Sequence, residues 1–464
     1  MTTAKLVFIL MSLLFFGFIP MFIKQRKLYF IGLASSLYIF SSGWIFYHFN
    51  GVMLGDIPIF ILFIMALTSR NKMSMLVRPI GLPLLLYMAW CLVSAIGAIR
   101  PGWVISETTT YLRMYLLIVG IANNIRNMKE LRAAVYGMLI GLLIESFIGI
   151  YQWRFGPLGI WYLGERTGGR IQWRTMGTFF VPSFYANYLA LMLPIAFRMF
   201  IYYRPPKKNL IFFFGAVFCL GIVALFTTYG RGPWIGFSAA IIVIVLWSTL
   251  KSRFKSRIRW TIPVLIVFGM LFFLRYHNAI WTQFTSSRKA STEVRFPQFR
   301  IAWRIIKSNP VKGVGLGNYE LNSWDFMTAD EARNPYARAY AMMVHNVYLF
   351  VSAETGLVGG VLLILWLFTI FLTAVRILKS KIINDFIVNV TLGIFGGMLA
   401  ISIIFTFSPD IHEYQILYQI GLFCGLLVAM QRMVVSAQHK MRRMKKKNSV
   451  QDSPERTLRT VRNG

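Results

Sequence analysis

Residues 346–375 read NVYLFVSAETGLVGGVLLILWLFTIFLTAV, with Glu354 as the only charged side chain, bounded by His345 before and Arg376 after. An α-helix rises 1.5 Å per residue and the hydrocarbon core of a bilayer is ~30 Å thick, so about 20 such residues cross it. Runs of this kind recur from end to end, near 6–23, 28–46, 52–68, 79–98, 106–123, 133–152, 180–201, 209–227, 233–250, 260–275, 346–375, 382–406 and 414–433. The chain of 464 residues is 57% hydrophobic and 14% charged, where soluble domains carry about 25% charged residues. The expected fold class is all-α, a polytopic membrane protein of about 12–13 transmembrane helices. A single transmembrane domain is expected over 1–437, with a long outer loop, 276–345, and a basic, disordered tail over 438–464.

Lys5 and the apolar stretch Leu6 to Pro20 have the form of a signal peptide, but no small-residue cleavage site follows, so the stretch is read as a retained first helix. The segment 52–68 is short and carries Asp56 and Pro58, which leaves the count between twelve and thirteen. Cys91, Cys219 and Cys424 are scattered through apolar runs with no metal-ligand spacing and read as core residues. No internal repeat is visible, which weighs against the inverted-repeat plan of secondary transporters. The formal net charge of +33 comes without any soluble basic domain, so nucleic acid is not an expected partner.

Alternate loops are basic: Lys24 to Lys27, Arg70 to Arg78, Arg126 to Arg132, Arg204 to Lys208, Lys251 to Arg259, Arg376 to Lys381, and the tail with Arg442, Arg443, Lys445, Lys446 and Lys447. The positive-inside rule makes these cytoplasmic, and the tail reads as a topology anchor touching anionic lipid. Three loops on the other side break the rule. The loop 153–179 carries Arg154, Arg166, Arg170 and Arg174; a tight turn, Tyr229-Gly230-Arg231-Gly232-Pro233, carries Arg231; and the loop 276–345 carries, among others, Arg295, Arg300, Arg304 and Lys307. Guanidinium grips phosphate with two parallel N–H groups and keeps its charge at any working pH, so arginines gathered outside point to a phosphorylated ligand. Contact with phospholipid headgroups is the ordinary alternative for those in the larger loops. For Arg231, whose turn fixes one charge at the mouth of two helices, the functional reading is favoured.

Within the long loop, Pro297 is expected to open a short amphipathic helix. Phe299, Ala302, Trp303 and Ile306 form its apolar face, Arg300, Arg304 and Lys307 its basic face, and Ser308-Asn309-Pro310 its end. Arg295 then lies just before the helix start, where anions are favoured. Gly313-Val314-Gly315-Leu316-Gly317 lacks the preceding strand and the Gly-Lys-Ser/Thr ending of a nucleotide loop and is read as a flexible bend. His345 falls at the outer mouth of the span that follows. Glu354 lies inside that span, where an ionisable group is costly and suspected of function. His48, His277 and His412 stand near outer helix ends with no obvious partner and read as interfacial residues. The aromatics Trp153, Trp161, Tyr162 and Trp173 have two readings, a stacking platform for sugar rings and an interfacial belt, of which the belt is preferred.

His345-Asn346-Val347-Tyr348-Leu349 followed by Glu354-Thr355-Gly356-Leu357-Val358-Gly359 resembles the signature of the O-antigen ligase and polymerase superfamily. So does the stretch from Arg295 through the amphipathic helix to Asn309-Pro310 and the glycine-rich bend, where the family carries an arginine ahead of the helix. Arg295 suits that position best, with Arg300 second. Arg174-Thr175-Met176-Gly177-Thr178-Phe179 and Arg231-Gly232-Pro233-Trp234 fit the same pattern, and the resemblance covers roughly 170–430. It implies a metal-independent, inverting glycosyltransferase without a cofactor, in the bacterial inner membrane. The enzyme would move a polyprenyl-diphosphate-linked glycan, on the outer face, to a hydroxyl of a glycolipid, glycan or protein acceptor. On that reading His345 is the base toward the acceptor, and Arg174, Arg231, Arg295 and Arg300 are ligands of the diphosphate, with Glu354 and Arg304 in support. Ligase, polymerase and protein transferase stay open within the enzyme class. An anion transporter is the alternative from another class, with Arg113, Glu145, Glu354 and Asp385 as its intramembrane charges.

Overall fold

Inside a bilayer no water satisfies backbone N–H and C=O groups, so a chain this apolar is forced into helices that bond to themselves. The computed structural model describes residues 14–15, 19–36, 56–69, 73–156, 165–166, 173–179, 181–250, 294–380 and 384–451. Its main helices are α1 (Arg26–Ser36), α2 (Asp56–Leu67), α3 (Gly81–Val93), α4 (Pro101–Asn124), α5 (Met128–Phe155), α6 (Pro182–Ile201), α7 (Asn209–Thr227) and α8 (Arg231–Thr249). After them come α9 (Arg295–Ser308), three short helices α10 (Tyr319–Ser323), α11 (Ala329–Arg333) and α12 (Ala337–Met342), and then α13 (Val347–Leu378), α14 (Asp385–Ile404) and α15 (Tyr414–Gln451). A two-residue antiparallel pair, β1 (Glu165–Arg166) with β2 (Trp173–Arg174), lies in the loop before α6. The protein is an all-α polytopic membrane protein. Among the described residues seven helices are long and apolar enough to cross a membrane, namely α5 to α8 and α13 to α15, with α2 and α3 apolar but shorter. The expected spans at 260–275 and over most of 6–23 lie outside the described residues.

Helix α6 is the hub, with 83% of its apolar window buried against 28% for α8 at the rim. It packs on α7, α8 and most extensively α14. Small residues permit that contact: a Cβ at Gly397 of α14 would stand 2.2 Å from the Leu191 carbonyl oxygen of α6, so the two backbones touch directly. On α8, Ile242 and Leu246 are exposed, as is Leu250 just past its end, an apolar face suited to lipid. Within the apolar region Asp56 of α2 pairs with Arg113, 3.4 Å apart, and Tyr418 donates to Asp56 at 2.9 Å.

Helix α13 is broken. Gly356 has φ 71° and ψ 176°, outside the helical region, and the carbonyls freed by the break find new donors. Val314 N–H donates to Ala353 O at 3.1 Å, Gly315 N–H to Glu354 O at 2.8 Å, and the Trp90 indole to Thr355 O at 2.8 Å, while Leu357 N–H reaches Pro310 O at 2.8 Å. The glycine-rich segment 313–317 is therefore no loose bend, as its sequence suggested, but a backbone clamp on the broken helix.

Two further expectations shift. Helix α9 begins at Arg295 itself, and its buried face is Pro297, Gln298, Ile301, Ala302, Ile305 and Ile306, while Trp303 is half exposed. The face is rotated from the expected one because α13 approaches from the side of Gln298 and Ile305. At the other end of the chain α15 stays helical through Gln451, so the part of the basic tail that is described, 438–451, is helical and not disordered.

A Cβ at Gly356 would stand 1.9 Å from Val311 O, in a left-handed conformation that side chains resist. Gly356→Ala is expected to destabilise the protein by roughly 2–4 kcal/mol, from strain and overpacking together. Gly102→Ala, with nothing within 4 Å of the new methyl, is the control. Thermal unfolding of both in detergent checks this; equal midpoints would mean that the clamp yields.

Candidate active site

Four elements bring their ends to one cavity of about 550 Å³ at the end of the bundle opposite the basic clusters. Arg174, Arg231, Arg295 and His345 line it, with Asn187, Tyr229, Ser408 and Asp410.

Arg174 is placed by a pinned loop. Gln152 of α5 accepts from Met176 N–H at 3.1 Å and Gly177 N–H at 2.9 Å, and donates to Gly177 O at 2.7 Å. Glu145, one turn pair lower on α5, takes Thr178 N–H at 3.0 Å and the Thr178 hydroxyl. Thr175 N–H donates to Thr227 O at 3.3 Å, and the Arg174 Nε–H to Thr228 O at 3.0 Å. The end of α7 thus holds Arg174 and, two residues on, the turn that presents Arg231. In that turn Tyr229 has φ 53°, in the left-handed region, and the Trp234 indole is tied to Leu225 O at 3.1 Å. Arg231 is the first residue of α8, as Arg295 is of α9, so both charges stand where helix ends already favour an anion.

His345 precedes α13, whose start is anchored by Val347 N–H to Phe405 O at 2.8 Å. Its Nδ1 lies 2.9 Å from Gln298 Oε1. The Gln298 amide nitrogen donates to Ala339 O at 2.7 Å, which turns the amide oxygen toward the ring. The oxygen only accepts, so Nδ1 carries the proton and Nε2 keeps its lone pair. Burial and, after it, the neighbouring Arg295 charge hold the imidazole down at about 4 from the ordinary 6.5, in its neutral form. Asp410 is the one acid of the lining. It accepts from Asn187 and Ser408, and burial pushes it up to about 6.

Arg300 and Arg304 go elsewhere. Both pair with Glu331, at 3.3 Å and 2.6 Å. Arg304 also donates to Phe326 O at 2.7 Å, so the basic face of α9 closes onto α11 and does not line the cavity. Glu354 is buried apart from the cavity, 3.0 Å from His412 Nε2, with Glu107 of α4 3.6 Å from His412 Nδ1. His412 is therefore no interfacial residue but the centre of an acid–imidazole–acid cluster. Gln298, Asp410 and Asn187 escaped the sequence reading because uncharged amides and a lone acid in a short loop carry no local signal. His48 and His277, and Trp161 and Tyr162, lie outside the described residues. Among the described residues no three His, Cys, Asp or Glu side chains gather as a metal-binding group.

Burial lowers the His412 pKa, but the Glu354 and Glu107 carboxylates outweigh it and hold the imidazolium up to about 10 from 6.5. A folded-state value above the unfolded one stabilises fully below pH 6.5 and loses that contribution as pH rises through about 10. The unfolding midpoint of the wild type is thus expected to fall between pH 6.5 and 10 more steeply than that of His412→Asn. Parallel curves would show that the cluster carries no charge-dependent stability.

Comparison with curated proteins finds no match. Residues 216–364 match the family model described as O-antigen ligase, a segment that covers less than half of the chain, from within α7 to within α13, and that includes Arg231, Arg295, His345 and Glu354. Over that segment the chain is similar to the O-antigen ligase family.

Proposed function

We propose that this protein is a glycosyltransferase of the ligase or polymerase type that moves a glycan from a polyprenyl diphosphate to an acceptor hydroxyl, at the outer face of the bacterial inner membrane. The observation that carries this reading is the convergence of Arg174, Arg231, Arg295 and His345 on one cavity. The acceptor oxygen attacks the anomeric carbon, the bond from that carbon to the diphosphate oxygen breaks, and the configuration inverts. Diphosphate leaves as an anion, so the site must neutralise charge and need not supply an acid. Three guanidinium groups suit that task. The acceptor proton passes to Nε2 of His345, whose tautomer Gln298 fixes.

A base held near 4 is weak at neutral pH. Part of that depression is the Arg295 charge, which a bound diphosphate offsets. Substrate binding would thereby make His345 more basic when the acceptor arrives. Glycolipid, growing glycan and protein are the acceptor classes, and the same cavity serves a ligase and a polymerase. Three of the four intramembrane charges that a transporter would string along its path are engaged locally instead. Arg113 pairs with Asp56, Glu145 pins the Arg174 loop, and Glu354 pairs with His412.

The test is product analysis with purified protein, a polyprenyl-diphosphate-linked donor and the three acceptor classes, with chelator present. Turnover is expected to persist in chelator. His345→Ala should lose roughly 10²–10⁴-fold in rate with donor binding retained. Arg231→Lys, which keeps charge but not the two-pronged grip, should lose most activity, whereas Arg376→Lys at the other end should be nearly silent. Normal turnover by His345→Ala removes the imidazole from the mechanism, and donor flux without any glycan product would favour transport.

A further inference from the structure

At the end of the bundle opposite the active-site cavity lies a larger one, of about 910 Å³. Three elements form it: the turn before α3 contributes Arg78, the end of α13 contributes Arg376, and α15 contributes Arg432, His439, Lys440 and Arg443. No acidic residue is in the lining, and among the described residues no Asp or Glu lies within ion-pair distance of any of these cations. On α15 the lining positions 431–432, 435–436, 439–440 and 443 recur at one turn of helix, so they make one stripe ~16 Å long. Its upper member, Arg432, is tied to Ala122 O at 3.0 Å and Asn123 at 3.3 Å, which fixes that charge on the wall of the cavity.

A membrane surface attracts isolated lysines and arginines without any cavity. Here the charges instead surround a concave space between three elements, and Val435 and Pro79 give it an apolar wall. Like charges held around one space repel each other unless something neutralises them. Arginines from two different helices facing one space suit phosphate oxygens, which they grip with paired N–H groups. We infer that this cavity is a binding site for an anion bearing more than one phosphate charge, separate from the proposed reaction site. Two sources have that chemistry: the headgroup of an anionic phospholipid with two phosphates, and a soluble polyphosphate.

The full-length protein in neutral detergent is titrated with a diphosphatidyl lipid, with inorganic pyrophosphate and with phosphatidylcholine, and bound ligand is read by native mass spectrometry. Saturable binding of the lipid or of pyrophosphate is expected, phosphatidylcholine being the blank, and the tighter of the two names the source. The double variant Arg376→Gln with Arg443→Gln should bind at least roughly tenfold more weakly. Lys207→Gln with Lys208→Gln, basic residues at the same end but outside the cavity, should stay within about twofold. Equal weakening in the two double variants would reduce the site to general surface charge and overturn the inference, as would no binding of either phosphate ligand by the wild type. Should the first pair not fold, salt-dependent protection of wild-type Arg376 and Arg443 from a guanidinium-modifying reagent by bound ligand gives the same reading, and absent protection overturns it.

Discussion

A carbonyl released from its helix inside a bilayer must be given another donor or it costs several kcal/mol. At Gly356 the α13 helix gives up its regular bonding, and the backbone of residues 310–315 together with the Trp90 indole takes over the freed groups. That exchange locks the outer loop to the bundle. Helix α9, which immediately precedes the clamp, is thereby held against α13, and Gln298 on α9 comes within hydrogen-bonding distance of His345 at the head of α13. The imidazole of the cavity is therefore oriented by a backbone exchange about three helical turns away.

Two histidines at the same end of the bundle show how surroundings divide one chemistry. His345 sees an amide oxygen and an arginine and is held neutral. His412 sees two carboxylates and is held charged. The first arrangement leaves a lone pair for proton transfer, and the second makes a cation at neutral pH that ties α4 and α13 to the turn between α14 and α15. Asp410, which lines the cavity, sits on that same turn two residues from His412, so the buried ion cluster also fixes one wall of the cavity.

Much of this was legible in the sequence, because hydropathy and basic loops are long-range signals that single residues cannot disguise. The segments at 182–201, 209–227 and 347–378 fell close to their expected limits. Arg174, Arg231 and Arg295 stood out as charges in the wrong place and His345 by its position at the head of a long span, and the fold gathers all four. Arg300 and Arg304 stood out for the same reason, yet Glu331 on α11 takes them both, a pairing across 27 to 31 residues of loop that no local pattern announces. The orientation of α9 was misjudged because the large aromatic ring of Trp303 suggested burial, whereas the neighbour that decides which face is covered comes from α13. His412 looked isolated since its partners lie on α4 and inside the α13 break.

The cavity wall has a property that follows from where α8 stands. Ile235 and Phe407 line the cavity and are 47% and 43% exposed, on a helix end and a turn at the bundle's rim. The same side chains thus border the polar chamber on one side and the apolar rim of the bundle on the other. A ligand with a charged head and a long apolar tail could seat the head while the tail never leaves the lipid. Its capture would then be a search in two dimensions, governed by the surface density of the lipid within its leaflet and not by any bulk concentration, and the hydrophobic cost of extraction would not enter the affinity at all.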